Sequence, residues 1–315
     1  MIQAIMQTKT TSSNARDKAD KLALVAEAAD PVTKQIKVEQ PNAEDNYLTG
    51  NDLAALEKTA SDVAALARPL PAHLMHYAEV RVPRYTSYPT APQFSEAVGP
   101  DTYYQWLGAL TQQDRLSLYL HIPFCSQLCW YCGCNTQVAA NSDRVAGYAD
   151  LVTEEIALVF RALNEQAQGV GPVSHLHLGG GSPNMLAPAD LVSILRCLQL
   201  GFDFEEGAEI ACEVDPRDLT DCFISGLAVG GMNRVSLGVQ DLNPAIQKRI
   251  NRVQPLGLIT DAVNRLRRAG INAINLDLMY GLPGQTVGDV LNTIDQVLPL
   301  QPARLAVFGY AHVPW

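Results

Sequence analysis

From Leu116 onward, short runs of Leu and β-branched residues alternate with longer stretches whose apolar positions recur every three to four residues. The runs are LSLYLHI from Leu116, VSHLHL from Val173, AEIACEV from Ala208, NRVSLGV from Asn233, INAINLDL from Ile271 and RLAVFGY from Arg304. Amphipathic stretches intervene, such as YADLVTEEIALVFRAL from Tyr148 and ITDAVNRLRRAG from Ile259, the latter with Gly270 placed as a C-cap. Strands alternating with helices predict right-handed βαβ units on a parallel sheet. The expected fold is α/β, a partial (β/α)6 TIM-like barrel two units short of the eightfold one.

The first 70 residues break this pattern. They hold one aromatic, Tyr47, and one glycine, Gly50, among Ala, Thr, Lys, Asp and Glu. Asn51 to Arg68 has helical spacing in Leu53, Leu56, Val63 and Leu66, with Asp52 placed to cap it. The remainder is too polar to offset its ordering entropy. The chain is therefore expected to divide into a largely disordered extension over 1–70, a segment over 71–115 that packs on the barrel, and the barrel itself over 116–315.

Hydrophobic residues make up 47% of the chain, which suffices for a large core. The net charge of −10 argues against nucleic-acid or anionic-membrane partners, which reward a basic surface. No apolar run approaches the roughly 18 residues of a membrane span, and the N-terminus lacks a signal core. A cytoplasmic, monomeric protein is the expectation.

Chemistry-bearing residues gather at the predicted C-terminal strand ends, where barrel enzymes place their sites. His121 and a group of cysteines follow the first strand, Gly179-Gly180-Gly181-Ser182 the second, and Glu213 with Asp215 closes the third. Gln240 and Asp241 end the fourth, Asp277 the fifth, and Tyr310 to His312 the sixth. Four of the seven cysteines fall between 125 and 134, poor geometry for a disulfide framework and ordinary for a metal site. Cys125, Cys129 and Cys132 form C-x3-C-x2-C, which can hold three irons of a 4Fe-4S cluster and leave the fourth open. Cys134 makes a four-thiolate zinc site arithmetically possible, although structural zinc usually draws ligand pairs from two separated knuckles. A redox C-x-x-C of Cys129 and Cys132 would explain neither Cys125 nor the barrel.

C-x3-C-x2-C with Tyr131 before its third cysteine resembles the radical S-adenosylmethionine superfamily. More narrowly, the chain is similar to the oxygen-independent coproporphyrinogen III oxidases. The similarity rests on PRYTSYPTAPQF from Pro83, LSLYLHIPFC from Leu116, CWYCGCN from Cys129, LHLGGGSP from Leu176, CEVDPRDLT from Cys212, NRVSLGVQDLN from Asn233, INRV from Ile250, NLDLMYGLPGQT from Asn275 and FGYAHVP from Phe308. It implies a radical SAM partial barrel in which Cys125, Cys129 and Cys132 ligate the cluster. It implies S-adenosylmethionine on the open iron, contacted by Tyr119, Gly180 and Glu213. A second S-adenosylmethionine would meet Tyr131, Gly181, Ser182, Gln240, Arg252, Asp277 and Ala311. Ser182 stands where the family usually has Thr. The implied reaction is oxidative decarboxylation of coproporphyrinogen III to protoporphyrinogen IX in haem biosynthesis, with an unidentified electron donor and acceptor. Arg84 and Tyr85 are candidates for closing over the site, and no catalytic residue beyond the cofactor set is assigned.

Plainer readings stand beside these. The glycines suit a tight strand-to-helix turn, and Glu213 and Asp277 suit structural pairing with Arg234 or Arg252. Cys197, Cys212 and Cys222 read as small core residues, and His175 and His177 as packed barrel histidines. His73 and His76 are isolated. The rival functions are a haem chaperone of the same superfamily and a zinc-stabilised barrel without catalysis. Gly133-Cys134-Asn135 and the PRYTSYPT segment favour the oxidase over the chaperone. Family members continue past the YAH segment, so a chain ending at Trp315 lacks that C-terminal region, and impaired activity with an uncovered sixth strand is expected.

Overall fold

The computed structural model of the chain describes residues 2–4, 93–139, 141–166 and 169–312. The expected helix over 51–68, Arg84, Tyr85, His73, His76 and residues 313–315 lie outside the described residues, as does most of the 1–70 extension. The chain divides into two compact units, one of residues 14–105, of which the stretch from Gln93 is described, and one of residues 1–13 and 106–315. A helix, α1, runs over Pro100–Gly108.

The larger unit is built on a seven-stranded sheet. Its strands are β1 (Ile2–Ala4), β2 (Leu116–Ile122), β5 (Val173–Gly180), β6 (Phe204–Val214), β7 (Arg234–Gln240), β8 (Ala273–Tyr280) and β9 (Arg304–Gly309), adjacent in that order. Apart from β1, the strands of this sheet are all parallel. These are the six expected runs, which gives the partial (β/α)6 architecture its frame. Their legibility has a physical cause: a strand with one face turned to the core buries every second residue, as β2 and β7 do, so apolar positions recur at period two. Leu118, Leu120, Leu176, Leu178, Cys212, Val235, Leu237, Ile274 and Leu276 are all at most 2% exposed. Strand β9 is the exception, with Val307 48% and Phe308 53% exposed, and among the described residues it pairs with β8 alone. At the opposite edge, β1 pairs antiparallel with β2, Ile2 facing Leu120. Those three residues belong to the stretch expected to be largely disordered.

Helices connect the strands: α2 (Ser142–Gln166), α3 (Pro188–Gly201), α4 (Asp221–Val229), α5 (Pro244–Arg249), α6 (Leu256–Arg268) and α7 (Val287–Val297). Helix α2 buries Val145, Ala149, Val152, Ile156, Val159 and Leu163, one stripe at the helical period. It starts six residues before the apolar pattern at Tyr148, because the Asn141 side chain accepts from the Arg144 amide and caps the first turn. Helix α6 stops at Arg268, two residues short of Gly270. The Gly270 amide donates to the Arg267 carbonyl and the Ile271 amide to that of Leu266, a Schellman closure that places Gly270 at φ 89°. A Cβ on Gly270 would meet nothing within 4 Å, so only the backbone resists substitution. Gly270→Ala should cost about 1 kcal/mol in urea unfolding; a loss of several would reveal a packing role.

Two further strands, β3 (Phe124–Cys125) and β4 (Gln137–Val138), form a small parallel pair beyond the end of β2. The Gln137 amide donates to the Pro123 carbonyl and the Ala139 amide to that of Cys125. The cysteine segment is thereby closed into a loop at the C-terminal end of the sheet.

Candidate active site

The loop that β3 and β4 close is docked on the crossover between β7 and α6. Trp130 donates its amide to the Ile250 carbonyl at 3.0 Å. Asn251, itself at φ 54°, donates to the Leu128 carbonyl at 2.8 Å and accepts from Gln127 at 2.9 Å. Tyr131 packs on a buried group of Ile246, Ile250, Met279 and Leu282. Burial raises its phenol well above the ordinary value.

Each thiol of the C-x3-C-x2-C motif has its own surroundings. Cys125 Sγ lies 3.2 Å from Thr136 Oγ1 and 3.8 Å from the donating hydroxyl of Ser182. Burial raises its pKa against those hydrogen bonds. Cys129 is buried, and two guanidinium groups donate to its sulfur, Arg217 Nη2 and Arg252 Nη1, each at 3.5 Å. Cys132 is hydrogen-bonded to Cys134, which pulls the Cys132 thiol down and pushes the Cys134 thiol up. Cys134, left without a role by the sequence, is thus a partner of the third cysteine.

The guanidinium groups are themselves held. Asp215 Oδ2 accepts from Arg217 at 2.7 Å and from Arg252 at 3.0 Å, and its Oδ1 accepts the Arg217 amide and Nε. Burial works to raise the Asp215 pKa, but the Arg217 hydrogen bonds and the Arg252 charge outweigh it and hold it below the usual carboxylate range. Arg252 also donates to the Gly238 carbonyl at 2.8 Å. Gln240, at φ 67°, lies beside it: a Cβ on Gly238 would meet both Gln240 Nε2 and Arg252 Nη2 within 3 Å.

A second group forms around Glu213. Its carboxylate accepts the Gly180 amide at 3.1 Å and faces His177 Nε2 at 3.1 Å. The His177 ring stacks on Tyr119, its cross-strand neighbour, with centroids 5.9 Å apart. The Tyr119 hydroxyl lies 3.1 Å from His121 Nδ1. Burial, then the Glu213 charge, push the Tyr119 phenol up to about 12, so it stays protonated at neutral pH. Asp277 accepts from Ser236 at 2.9 Å and Asn275 at 2.7 Å, yet burial leaves its pKa raised.

Most of the expected residues therefore converge. Ser182 joins Cys125, Arg252 joins Cys129 with Gln240 alongside, and Tyr119 and Gly180 join Glu213, whose charge is felt at Asp277 and Cys132. Ala311 follows β9, outside these hydrogen-bonded groups. The plainer carboxylate reading differs: Arg234 pairs with Glu209 and Arg252 with Asp215, while Glu213 bonds His177 and the Gly180 amide. Cys212 is buried as expected, but Cys222 is exposed and Cys197 half-buried.

The amides of Gly180, Gly181 and Ser182 are directed to Glu213, Ile122 and Phe124. What the missing side chains supply is space: a Cβ would sit 2.5 Å from the His121 ring at Gly180, 2.5 Å from the Phe124 carbonyl oxygen at Gly181, and 2.9 Å from the Glu213 carboxylate at Gly179. Arg217, Thr136 and His177 are functional neighbours that the sequence reading missed. His177 was signalled by its place opposite Tyr119; Arg217 and Thr136 had no local signal.

The donor set fits an iron–sulfur cluster. A four-iron cluster takes one thiolate per iron, and three thiols are supplied by one closed loop. Two cations beside Cys129 suit an anionic sulfur, and the remaining thiols are hydrogen-bonded as ligands of this kind require. Among the described residues, no three His, Cys, Asp or Glu side chains converge to hold a single metal ion, and no helix is long and apolar enough to cross a membrane.

The family model described as the radical SAM superfamily matches residues 119–297. The chain is 46% identical over 238 residues to an oxygen-independent coproporphyrinogen III oxidase of Bradyrhizobium diazoefficiens, covering 76% of this chain and 52% of the relative. A protein of the same description from Escherichia coli is 42% identical over 232 residues, 74% of this chain and 50% of the relative. Among solved structures, the coproporphyrinogen III oxidase of Escherichia coli, a radical SAM enzyme, superposes with a TM-score of 0.68 at 39% identity, covering 78% of this chain and 54% of that one. The chain spans about half the length of the curated relatives it matches.

Proposed function

The chain belongs to the radical SAM superfamily, and from that premise we propose that it carries the cluster and cofactor half of an oxygen-independent coproporphyrinogen III oxidase. The substrate is coproporphyrinogen III, two of whose propionates become vinyl groups with loss of carbon dioxide, giving protoporphyrinogen IX in haem biosynthesis. The observation that carries the reading is the meeting of Cys125, Cys129 and Cys132 with Ser182, Arg252 and the Tyr119–His177–Glu213 group at one end of the parallel sheet. The similarity to relatives named for this activity supports the substrate.

When bound, the 4Fe-4S cluster and S-adenosylmethionine supply a 5′-deoxyadenosyl radical able to abstract hydrogen from a propionate. The chain holds and orients these groups. Cys125, Cys129 and Cys132 ligate three irons. Glu213, fixed by the Gly180 amide and His177, presents an acceptor for a cofactor ammonium or ribose hydroxyl. Tyr119, protonated at working pH, offers an apolar face and a hydroxyl. Tyr131, Gly181, Ser182, Gln240, Arg252, Asp277 and Ala311 form the surroundings of a second S-adenosylmethionine. The protein works in the cytoplasm as a monomer, with an electron donor and an acceptor that the chain does not identify.

Replacing Glu213 by Gln removes the charge while keeping the shape. A hydrogen bond to a charged group contributes about 1.5–3 kcal/mol, so S-adenosylmethionine affinity in the cluster-loaded protein should fall at least about tenfold. Equal affinity by calorimetry would remove Glu213 from the cofactor site.

The proposal as a whole is tested by anaerobic reconstitution with iron and sulfide, reduction, and assay of 5′-deoxyadenosine with and without coproporphyrinogen III. Cleavage coupled to a product lighter by carbon dioxide supports the oxidase. Cleavage without decarboxylation, or haem binding alone, would overturn the substrate assignment for this chain. Retention of zinc in place of iron would overturn the chemistry.

A further inference from the structure

Arg217 and Arg252 reach the same sulfur from different crossovers, the 3-10 turn after β6 and the segment between α5 and α6. Both are tied to one oxygen of Asp215, and all three side chains are at most 12% exposed. Asp215 is itself immobilised. Its amide donates to the Asn184 side chain and its carbonyl accepts from it, both at 3.0 Å, and its free oxygen takes the Arg217 backbone and Nε. Two cations against one carboxylate leave one positive charge uncompensated in a water-poor place. Cys129, the sulfur both guanidiniums face, would bring the compensating negative charge when it ligates as a thiolate. Arg252 is already accounted for as a cofactor contact, whereas Arg217 faces Asp215, Cys129 and Gln127.

We propose that Arg217, anchored by Asp215, is a positioning residue that fixes the Cys129 sulfur and raises the reduction potential of the cluster bound through it. This rests on the reading of the site given above. A guanidinium fork that donates to a ligating sulfur withdraws electron density from it and favours the extra negative charge of the reduced state. It also sets the sulfur's direction, because the fork is planar and held at both ends. Asp215, Asn184 and the 3-10 turn make the arrangement rigid before any iron arrives.

The test uses the full chain, reconstituted anaerobically as wild type, Arg217→Gln and Arg217→Lys. Iron and sulfide per chain are measured, and the midpoint is read from the electron paramagnetic resonance signal during reductive titration with dithionite. In Arg217→Gln with cluster content retained, the reduced-to-oxidised ratio at a fixed potential should fall about tenfold, a midpoint lower by about 59 mV for one electron. Arg217→Lys keeps the charge without the fork and should fall between the two. A wild-type midpoint in Arg217→Gln at equal iron content would reduce Arg217 to a packing residue and overturn the proposal. Should Arg217→Gln fail to fold, Arg217→Lys decides alone: a lowered midpoint supports the proposal and an unchanged one overturns it. Failure of the wild type to hold a cluster would defeat the reading of the site itself, an outcome distinct from the others.

Discussion

Asp215→Ala should destabilise the chain by about 3–5 kcal/mol, the cost of leaving buried charge uncompensated when one member of an ion group is removed. Its carboxylate is 5% exposed and lies between two guanidiniums that are 12% and 8% exposed. Without it, Arg217 and Arg252 would face each other across a space that water fills poorly, and Cys129 would lose the frame that orients both of its donors. The Arg217 amide would also lose its cap. Asp215→Asn keeps the shape and one acceptor, so it should cost less than the alanine. The same carboxylate gives the stability a pH signature. Its folded pKa is depressed, so its contribution is complete above the ordinary Asp value and disappears as pH falls through the lower folded value. Urea midpoints measured from pH 7 down to pH 3 should therefore converge between wild type and Asp215→Asn at the acid end. A loss below 1 kcal/mol for the alanine at pH 7 would mean that the guanidiniums are solvated in the folded state.

What the sequence made legible follows from how local the cause of each feature is. The six parallel strands could be read because a face turned to the core writes itself into every second residue, as Leu116, Leu118, Leu120 and Ile122 do in LSLYLHI. Their polar ends could be read because barrel topology assigns those positions a direction before any contact is known. The cysteine loop was visible from its spacing. What escaped depended on partners far away in sequence. The pairing of β3 with β4 rests on two residues a side and has no period to detect. The early start of α2 was decided by one capping side chain, Asn141. Arg217 meets Cys129 across 88 residues and Arg252 meets it across 123, so nothing near either arginine marks it as a neighbour of the cluster loop. The glycines were read as a tight strand-to-helix turn and as cofactor contacts, because residue type shows that a side chain is missing but not what occupies the space.

That distinction gives the other large effect. Gly181→Ala should cost about 3 kcal/mol and cut cluster retention to less than half. The added Cβ would lie 2.5 Å from the Phe124 carbonyl oxygen, 2.9 Å from its carbonyl carbon and 2.6 Å from Thr136 Oγ1. A threonine hydroxyl can rotate away, but a backbone carbonyl cannot, and this one accepts the Ser182 amide at 2.7 Å. Relief must come from moving β3 outward or β5 back, and overpacking that shifts backbone typically costs 1–3 kcal/mol. The consequence for the site exceeds the stability loss, because every atom in the clash belongs to the seat of Cys125. Phe124 precedes it in β3, Thr136 hydrogen-bonds its sulfur, and Ser182 follows Gly181 and reaches the same sulfur. Displacing β3 therefore moves one ligand while Cys129, held from the opposite side by Arg217 and Arg252, stays where it is. Reconstituted Gly181→Ala should fold with a lowered urea midpoint and carry less than half of the wild-type iron. Wild-type iron content at a lowered midpoint would show instead that β3 and the cysteine loop move together as one piece.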